Sequence, residues 1–85
     1  MKYGILFMPI AKKRLDDLEP TIRKRVLNKL VTIQENPKRF LKWLGSIKAY
    51  SLRVGDYRVI VDLNEEEKII NVLTLGHRKK IYKTF

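Results

Sequence analysis

The sequence predicts an α+β fold with the element order β-α-α-β-β-β, in which a helical hairpin packs on a small antiparallel sheet. Three observations predict it. Apolar residues recur with helical spacing in the first half of the chain, and three strand-length runs joined by short turns fill the second half. In addition, 45% of the 85 residues are hydrophobic, which is enough to form a core. This length predicts a single domain over residues 1–85.

The first half contains a short strand and two helices. The strand is predicted from Gly4 to Met8 and ends at Pro9. Proline fits the first position of a helix, where its missing N–H would have no partner, so Pro9 and Pro20 indicate two helix starts. The clearest helical stripe in the chain follows the second proline and consists of Ile22, Val26, Leu30 and Ile33. Residues 9–36 are therefore predicted to form a helical hairpin, which Asn36-Pro37 ends.

The second half is predicted to be a meander of three strands over residues 47–54, 57–63 and 68–75. Turn-like segments of two and four residues separate these runs, and connections this short force neighbouring strands to be antiparallel. The third run is apolar on both faces, as in a strand that is central or covered on both sides. Gly76 ends it, and the basic tail that follows is compatible with a short helix.

The composition limits the function classes. The chain has 19 Lys and Arg against 9 Asp and Glu, a formal charge of +10, and no cysteine for disulfides or thiolate metal sites. No apolar run approaches the roughly 20 residues of a membrane span, and the N-terminus has no signal-peptide pattern. We therefore expect a cytoplasmic protein that does not associate with a membrane. Its charge indicates a polyanionic partner, with nucleic acid ahead of an acidic protein and an anionic membrane third.

Much of the charge is predicted to lie at one edge of the sheet. A two-residue loop at Gly55-Asp56 places Arg53 directly opposite Arg58, on the face away from the core. Like charges in this arrangement destabilise a sheet by a few tenths of a kcal/mol, so stability alone does not favour them. The antiparallel third strand returns to the same edge. The cations expected there, against Asp56 alone, are Lys48, Arg53, Arg58, Arg78, Lys79, Lys80 and Lys83.

The residue types favour metal-free RNA cleavage. With one His, no Cys and scattered glycines, the sequence has no pattern of a metal site, cofactor site or phosphate loop. In RNA, the 2′-hydroxyl itself can attack the adjacent phosphate, so the protein supplies a base, an acid and cations. Arg53 and Arg58 can clamp phosphate, Arg78 can stabilise the leaving-group side, and His77 or Tyr82 can exchange protons. The alternative to proton transfer is, for His77, a polar residue at the end of a strand and, for Tyr82, packing of the C-terminal segment against the sheet.

The same residues resemble the RelE/ParE superfamily of toxins from type II toxin–antitoxin systems. The hairpin YSLRVGDYRVI over residues 50–60 is similar to the family's hairpin signature, and LGHRKKIY over residues 75–82 is similar to its C-terminal strand and tail. The RelE branch implies a ribosome-dependent endoribonuclease that cuts mRNA in the A site. By position, Arg58 and Arg78 match functional arginines of the family, Arg53 matches a basic position, and Tyr82 resembles its C-terminal tyrosine.

The resemblance leaves three activities open. Some RelE toxins have two lysines where this sequence has Ala49 and Ser51, so the general base is not identified. The ParE branch implies a gyrase inhibitor, although Arg58, Arg78 and Tyr82 favour the RelE branch. The third option is a non-catalytic module that binds RNA or a partner protein. The expected partners are an acidic, partly disordered antitoxin, the ribosome and mRNA. The residues expected to bind RNA are Lys48, Arg53, Lys79, Lys80 and Lys83. No cofactor is expected.

Overall fold

The structure, a computed structural model, describes residues 2–81. These residues form five strands, three helices and one short 3-10 turn. In chain order they are β1 (Gly4–Phe7), α1 (Pro9–Asp17), α2 (Pro20–Ile33), the 3-10 turn (Pro37–Arg39), β2 (Lys42–Leu44), β3 (Ala49–Val54), β4 (Tyr57–Asn64), β5 (Ile69–His77) and α3 (Arg78–Ile81). The predicted α+β fold, the helical hairpin and the three-stranded meander are confirmed.

The sheet differs from the predicted small antiparallel sheet in two ways. It has five strands in the order β1-β5-β4-β3-β2, and the β1–β5 pair is parallel. Both helices lie between β1 and the rest of the sheet in sequence, so no short turn forces β1 to be antiparallel to its neighbour. The additional strand, β2, has only three residues, which is too short for an alternating pattern to be recognised.

Two prolines and the apolar stripe set the helical hairpin as predicted. Pro9 and Pro20 each begin a helix. Glu19, which precedes Pro20, has an extended backbone with ψ 144°, because a proline ring disfavours helical conformation in the residue before it. The helices bury one side each against the sheet, through Ala11, Leu15, Val26, Leu30 and Ile33.

Both faces of the sheet carry buried residues. On the helix face, residues of β3, β4 and β5 join the helices in the main core, with Val59 and Val61 fully buried. On the opposite face, a smaller cluster forms around Ala49, Ile60 and Ile81. Ile81 belongs to α3, so the end of the described chain folds back on the face that the helical hairpin leaves uncovered. The apolar run predicted as a covered strand, now β5, contributes to both sides.

The helical core should depend on α2. Truncating Leu30 to alanine is expected to lower the free energy of unfolding by about 2–5 kcal/mol, because this side chain is 1% exposed and its loss leaves a cavity. Urea denaturation measures the change. Val31→Ala is the matched control on the same helix, since Val31 is 59% exposed and should change stability by no more than about 0.5 kcal/mol. Equal losses for the two variants would contradict this packing.

Candidate nucleic-acid interface

An arginine pair lies on the sheet face away from the helices, which we call the arginine face. Arg53 of β3 pairs with Arg58 of β4, as the two-residue hairpin loop predicts. Gly55 in that loop has φ +58°, a conformation that glycine adopts without strain. The neighbouring pairs, Val54 with Tyr57 and Leu52 with Val59, point to the helix face because strand side chains alternate. The hairpin therefore places two arginines directly opposite each other on neighbouring strands.

The two guanidinium groups make few contacts of their own. Arg53 Nε donates to the carbonyl oxygen of Gly55 at 3.4 Å, and an Arg58 terminal nitrogen donates to that of Tyr57 at 3.3 Å. Both bonds are long. Within residues 2–81, neither group has a carboxylate at ion-pair distance. A guanidinium without an acidic partner keeps its paired donors available for an oxyanion such as phosphate.

Arg78 joins the same end of the sheet. The structure places it directly after β5, and its backbone N–H donates to the carbonyl oxygen of Asp56 at 2.8 Å. This bond fixes the start of α3 against the hairpin loop. The Arg78 side chain lies 3.9 Å from the Asp56 carboxylate, and both side chains are largely exposed, so the ion pair is weak and can open for a ligand. Arg53, Arg58 and Arg78 are thus brought to one end of the sheet.

His77 is not brought to the arginine face. It pairs with Tyr57, and their rings meet edge to face with centroids 5.5 Å apart, so His77 lies on the helix side. The alternation of β5 explains this placement, since Gly76, one residue earlier, is the partner of Arg58. The His77 Nδ1 atom accepts the Lys79 backbone N–H at 3.2 Å. This bond occupies Nδ1, so a ligand contact made by His77 would use Nε2.

His77 instead lines an open cleft of about 540 Å³ between α1 and the end of β5. Arg14 of α1 lines the other side and donates to the Thr74 hydroxyl at 2.9 Å, which holds it against the sheet. Lys80, which is exposed, also lines the cleft. Nothing in the helical pattern of the sequence indicates the bond of Arg14 to β5.

Lys48 lies away from the arginines. It occupies the turn before β3 with φ +51°, and it lines a second cleft together with Asp62 and Glu65 at the far end of the sheet. It lies five positions before Arg53 in the chain, a separation of about 16 Å at the usual strand rise. The prediction that Lys48 lies at the arginine edge is wrong because Lys48 lies in the turn before β3 begins, at the opposite end of that strand from Arg53. Lys79 lies on α3 and is exposed. Tyr82 and Lys83 lie outside the described residues.

One cation on the arginine face was missed in the sequence. Lys42 of β2 pairs with Ser51 of β3, which shares its face with Arg53. The strand that carries it was not predicted, so its register could not be inferred.

In the part of the chain that the structure describes, no group of three His, Asp or Glu side chains is arranged to hold a metal ion. Over the same residues, no helix has the length and apolar character needed to cross a bilayer.

Three acidic residues, Asp62, Glu65 and Glu66, line the cleft at the end of the sheet opposite the arginines. There the Lys38 ammonium forms an ion pair and hydrogen bond with Glu65, which lower the pKa of Glu65 and raise that of Lys38. The lowered Glu65 pKa means that this interaction is present above the carboxylate's ordinary pKa and is lost as the pH falls through the lowered value. Both groups are exposed, so the pair contributes little to stability. The pair offsets the charge of one carboxylate at this end of the sheet.

Known proteins match this chain in sequence and in structure. A family model described as ParE toxin of type II toxin-antitoxin system, parDE, matches residues 5–82. No curated protein matches the sequence. Among solved structures, the toxin–antitoxin complex RelBE2 from Mycobacterium tuberculosis has a TM-score of 0.84 at 26% identity, covering 92% of this chain and 100% of that chain.

Two further structures give the same result. A double mutant of Escherichia coli toxin RelE in the free state has a TM-score of 0.80 at 27% identity, with 96% of this chain and 90% of that chain covered. The archaeal RelE-RelB complex from Pyrococcus horikoshii has a TM-score of 0.74 at 27% identity, with 92% and 97% covered. The family model spans nearly the whole sequence and the fold agrees with it, so the protein belongs to the ParE toxin family of type II toxin–antitoxin systems, within the RelE/ParE superfamily.

Proposed function

We propose that this toxin is a ribosome-dependent endoribonuclease that cuts mRNA in the A site and so inhibits translation. The observation that carries the proposal is the arginine face, where Arg53 and Arg58 lie side by side without a carboxylate partner among the described residues and Arg78 lies at the same end. A pair of like charges costs stability in a sheet, so its presence favours a role in binding an anion. The phosphodiester of RNA is the anion that such a face fits.

The proposed reaction needs no group from outside the protein and the RNA. The 2′-hydroxyl of the nucleotide loses its proton and its oxygen bonds to the adjacent phosphorus, while the bond from phosphorus to the 5′-oxygen breaks and that oxygen gains a proton. The products are a 2′,3′-cyclic phosphate and a 5′-hydroxyl. Negative charge grows on the phosphate oxygens in the transition state, and positioned cations lower its energy.

Each residue has a place in this scheme. Arg53 and Arg58 hold the phosphate oxygens, and Arg78, at the start of α3, stabilises the departing 5′-oxygen. Tyr82 is proposed to exchange a proton with the reacting RNA. His77 was a second candidate for proton transfer, but it lies on the helix face beside Tyr57. We therefore assign His77, which lines the cleft beside α1, to binding of a neighbouring nucleotide. Lys79, Lys80 and Lys83 are proposed to bind the RNA backbone.

The assignment of His77 gives a prediction. His77→Ala should lower cleavage by no more than about tenfold and should leave the pH dependence of the single-turnover rate unchanged, because loss of a binding contact does not remove a proton-transfer step. The measurement is cleavage of mRNA on programmed ribosomes between pH 6 and 8.5, with Arg58→Ala as the inactive control. A loss of 10³-fold together with loss of one limb of the pH profile would return His77 to a proton-transfer role.

The comparisons support one proposed partner, an antitoxin, and the arginine face supports the others. The Mycobacterium tuberculosis and Pyrococcus horikoshii structures are complexes of a toxin with its antitoxin. We propose that this chain likewise binds a cognate antitoxin. With a formal charge of +10 on the toxin, an acidic antitoxin is favoured. The ribosome and its mRNA are the proposed targets, which places the action of the toxin in the cytoplasm.

A gyrase inhibitor is the second candidate, because the family model that matches is that of ParE toxins. One experiment separates the two. The purified protein is added to a translation extract and the ends of the messages are mapped, while supercoiling by gyrase is measured in parallel. Codon-phased cuts that disappear in the Arg58→Ala/Arg78→Ala variant support the endoribonuclease. Blocked supercoiling with intact messages would establish the gyrase inhibitor, and binding of RNA without either effect would establish a non-catalytic module.

A further inference from the structure

We propose that Lys42 is a further RNA-contacting cation of the arginine face and that it acts on the same phosphodiester backbone as Arg53 and Arg58. The inference deepens the proposed endoribonuclease function and rests on it in part. It begins from the pairing of β2, an edge strand of three residues that lies beside β3. Its register places Lys42 opposite Ser51 and Leu44 opposite Ala49.

The contacts of the neighbouring residues establish which face Lys42 occupies. Trp43 meets Tyr50 edge to face with centroids 5.0 Å apart, and Tyr50 packs against the main core on the helix side. Leu44 packs against the small cluster on the opposite face. Because side chains alternate along a strand, Lys42 lies on the same side as Leu44, which is the arginine face.

On that face Lys42 is close to the arginines. It is the diagonal neighbour of Arg53, a relation that separates two residues by about 7–8 Å in an antiparallel pair. Arg58 is one strand farther, about 10 Å across the sheet and 7 Å along it. The long side chains of lysine and arginine can bridge such gaps and meet at one nucleotide. Ala49 and Ser51 are short and uncharged, so positive charge on this part of the face comes from β2.

The ammonium of Lys42 is also available. Its side chain is exposed, and within residues 2–81 it has no hydrogen bond or ion pair with a carboxylate. By contrast, Lys12 and Lys38 are each bonded to an acidic residue. The simpler interpretation is that an exposed lysine on an edge strand prevents pairing with other sheets, as such lysines commonly do. That interpretation predicts no effect of Lys42 on RNA.

The test compares Lys42→Gln, which removes the charge, with Lys42→Arg, which keeps it. Lys2→Gln is the matched control, because it removes the same charge at the end of the sheet where β1 begins, away from the arginines. Two quantities are measured on the full chain: the salt dependence of binding to a single-stranded RNA oligonucleotide, and the single-turnover rate of mRNA cleavage on programmed ribosomes. Urea denaturation verifies that all variants are folded.

If Lys42 contacts a phosphate, Lys42→Gln should reduce the slope of log K against log salt by about 0.7, the value for one contact to a single strand. It should also lower cleavage about tenfold or more, while Lys42→Arg and Lys2→Gln stay near wild type. Unchanged slope and rate in Lys42→Gln, or an equal change in Lys2→Gln, would overturn the inference. If the slope differs in this way between wild type and Lys42→Gln but the wild-type protein does not cut RNA, the endoribonuclease proposal is overturned and the Lys42 contact remains established.

Discussion

Replacing Arg58 by alanine is expected to lower the rate of mRNA cleavage on programmed ribosomes by about 10²–10³-fold, the loss typical of a donor that stabilises charge in a transition state. The same substitution should not lower the free energy of unfolding. Arg58 has no carboxylate partner among the described residues, and it lies directly opposite Arg53. Its removal therefore relieves a repulsion that costs a few tenths of a kcal/mol.

Two measurements together test the Arg58 prediction. Single-turnover cleavage gives the loss of activity, and urea denaturation gives the change in stability. Arg39→Ala is the control, since Arg39 is an exposed arginine in the 3-10 turn and belongs to no part of the arginine face. A stable variant with unchanged cleavage would show that the paired arginines are not part of an RNA-cleaving site. A variant that loses stability and activity in parallel would show that Arg58 supports the fold.

The cycle of Arg53→Ala, Arg58→Ala and the double variant extends this prediction. If both guanidinium groups hold one phosphate, the double variant should lose less than the product of the two single losses, because the site has already failed after the first substitution. Independent contacts to separate phosphates would give losses that multiply.

The sequence was sufficient for the parts of the fold that depend on local signals. Pro9 and Pro20 begin the helices, and the hairpin at Gly55-Asp56 fixes the register that pairs Arg53 with Arg58. Each of these features is decided by residues within a few positions of one another. A two-residue loop in particular leaves little freedom in the pairing that follows it.

The parts of the site that could not be predicted depend on long-range pairing or on one-residue shifts. Lys42 lies on a three-residue strand whose partner is known only from the sheet. His77 lies at the predicted end of the sheet but on its other face, because strand side chains alternate and a prediction of the edge does not state the face. Lys48 lies one residue before β3, where a positive φ sends the chain into a turn.

The placement of α3 is the second feature with a large expected effect. This helix has only four residues, so it has no stability of its own and must be held by packing. Ile81 provides that packing, since it is 1% exposed and contacts the cluster with Ala49 and Ile60. At the other end of the helix, Arg78 is tied to Asp56 by its backbone N–H. Ile81 therefore positions the segment that carries Arg78.

Ile81→Ala should consequently impair cleavage beyond its effect on stability. The truncation is expected to cost about 2–4 kcal/mol of unfolding free energy and to lower cleavage by a further ten- to hundredfold, because α3 no longer holds Arg78 in one position. Leu30→Ala is the matched control, since Leu30 is equally buried but lies in the helix-side core. Both variants are compared at a temperature where each is folded. If α3 positions Arg78, only Ile81→Ala loses cleavage there; equal rates in the two folded variants would exclude that role.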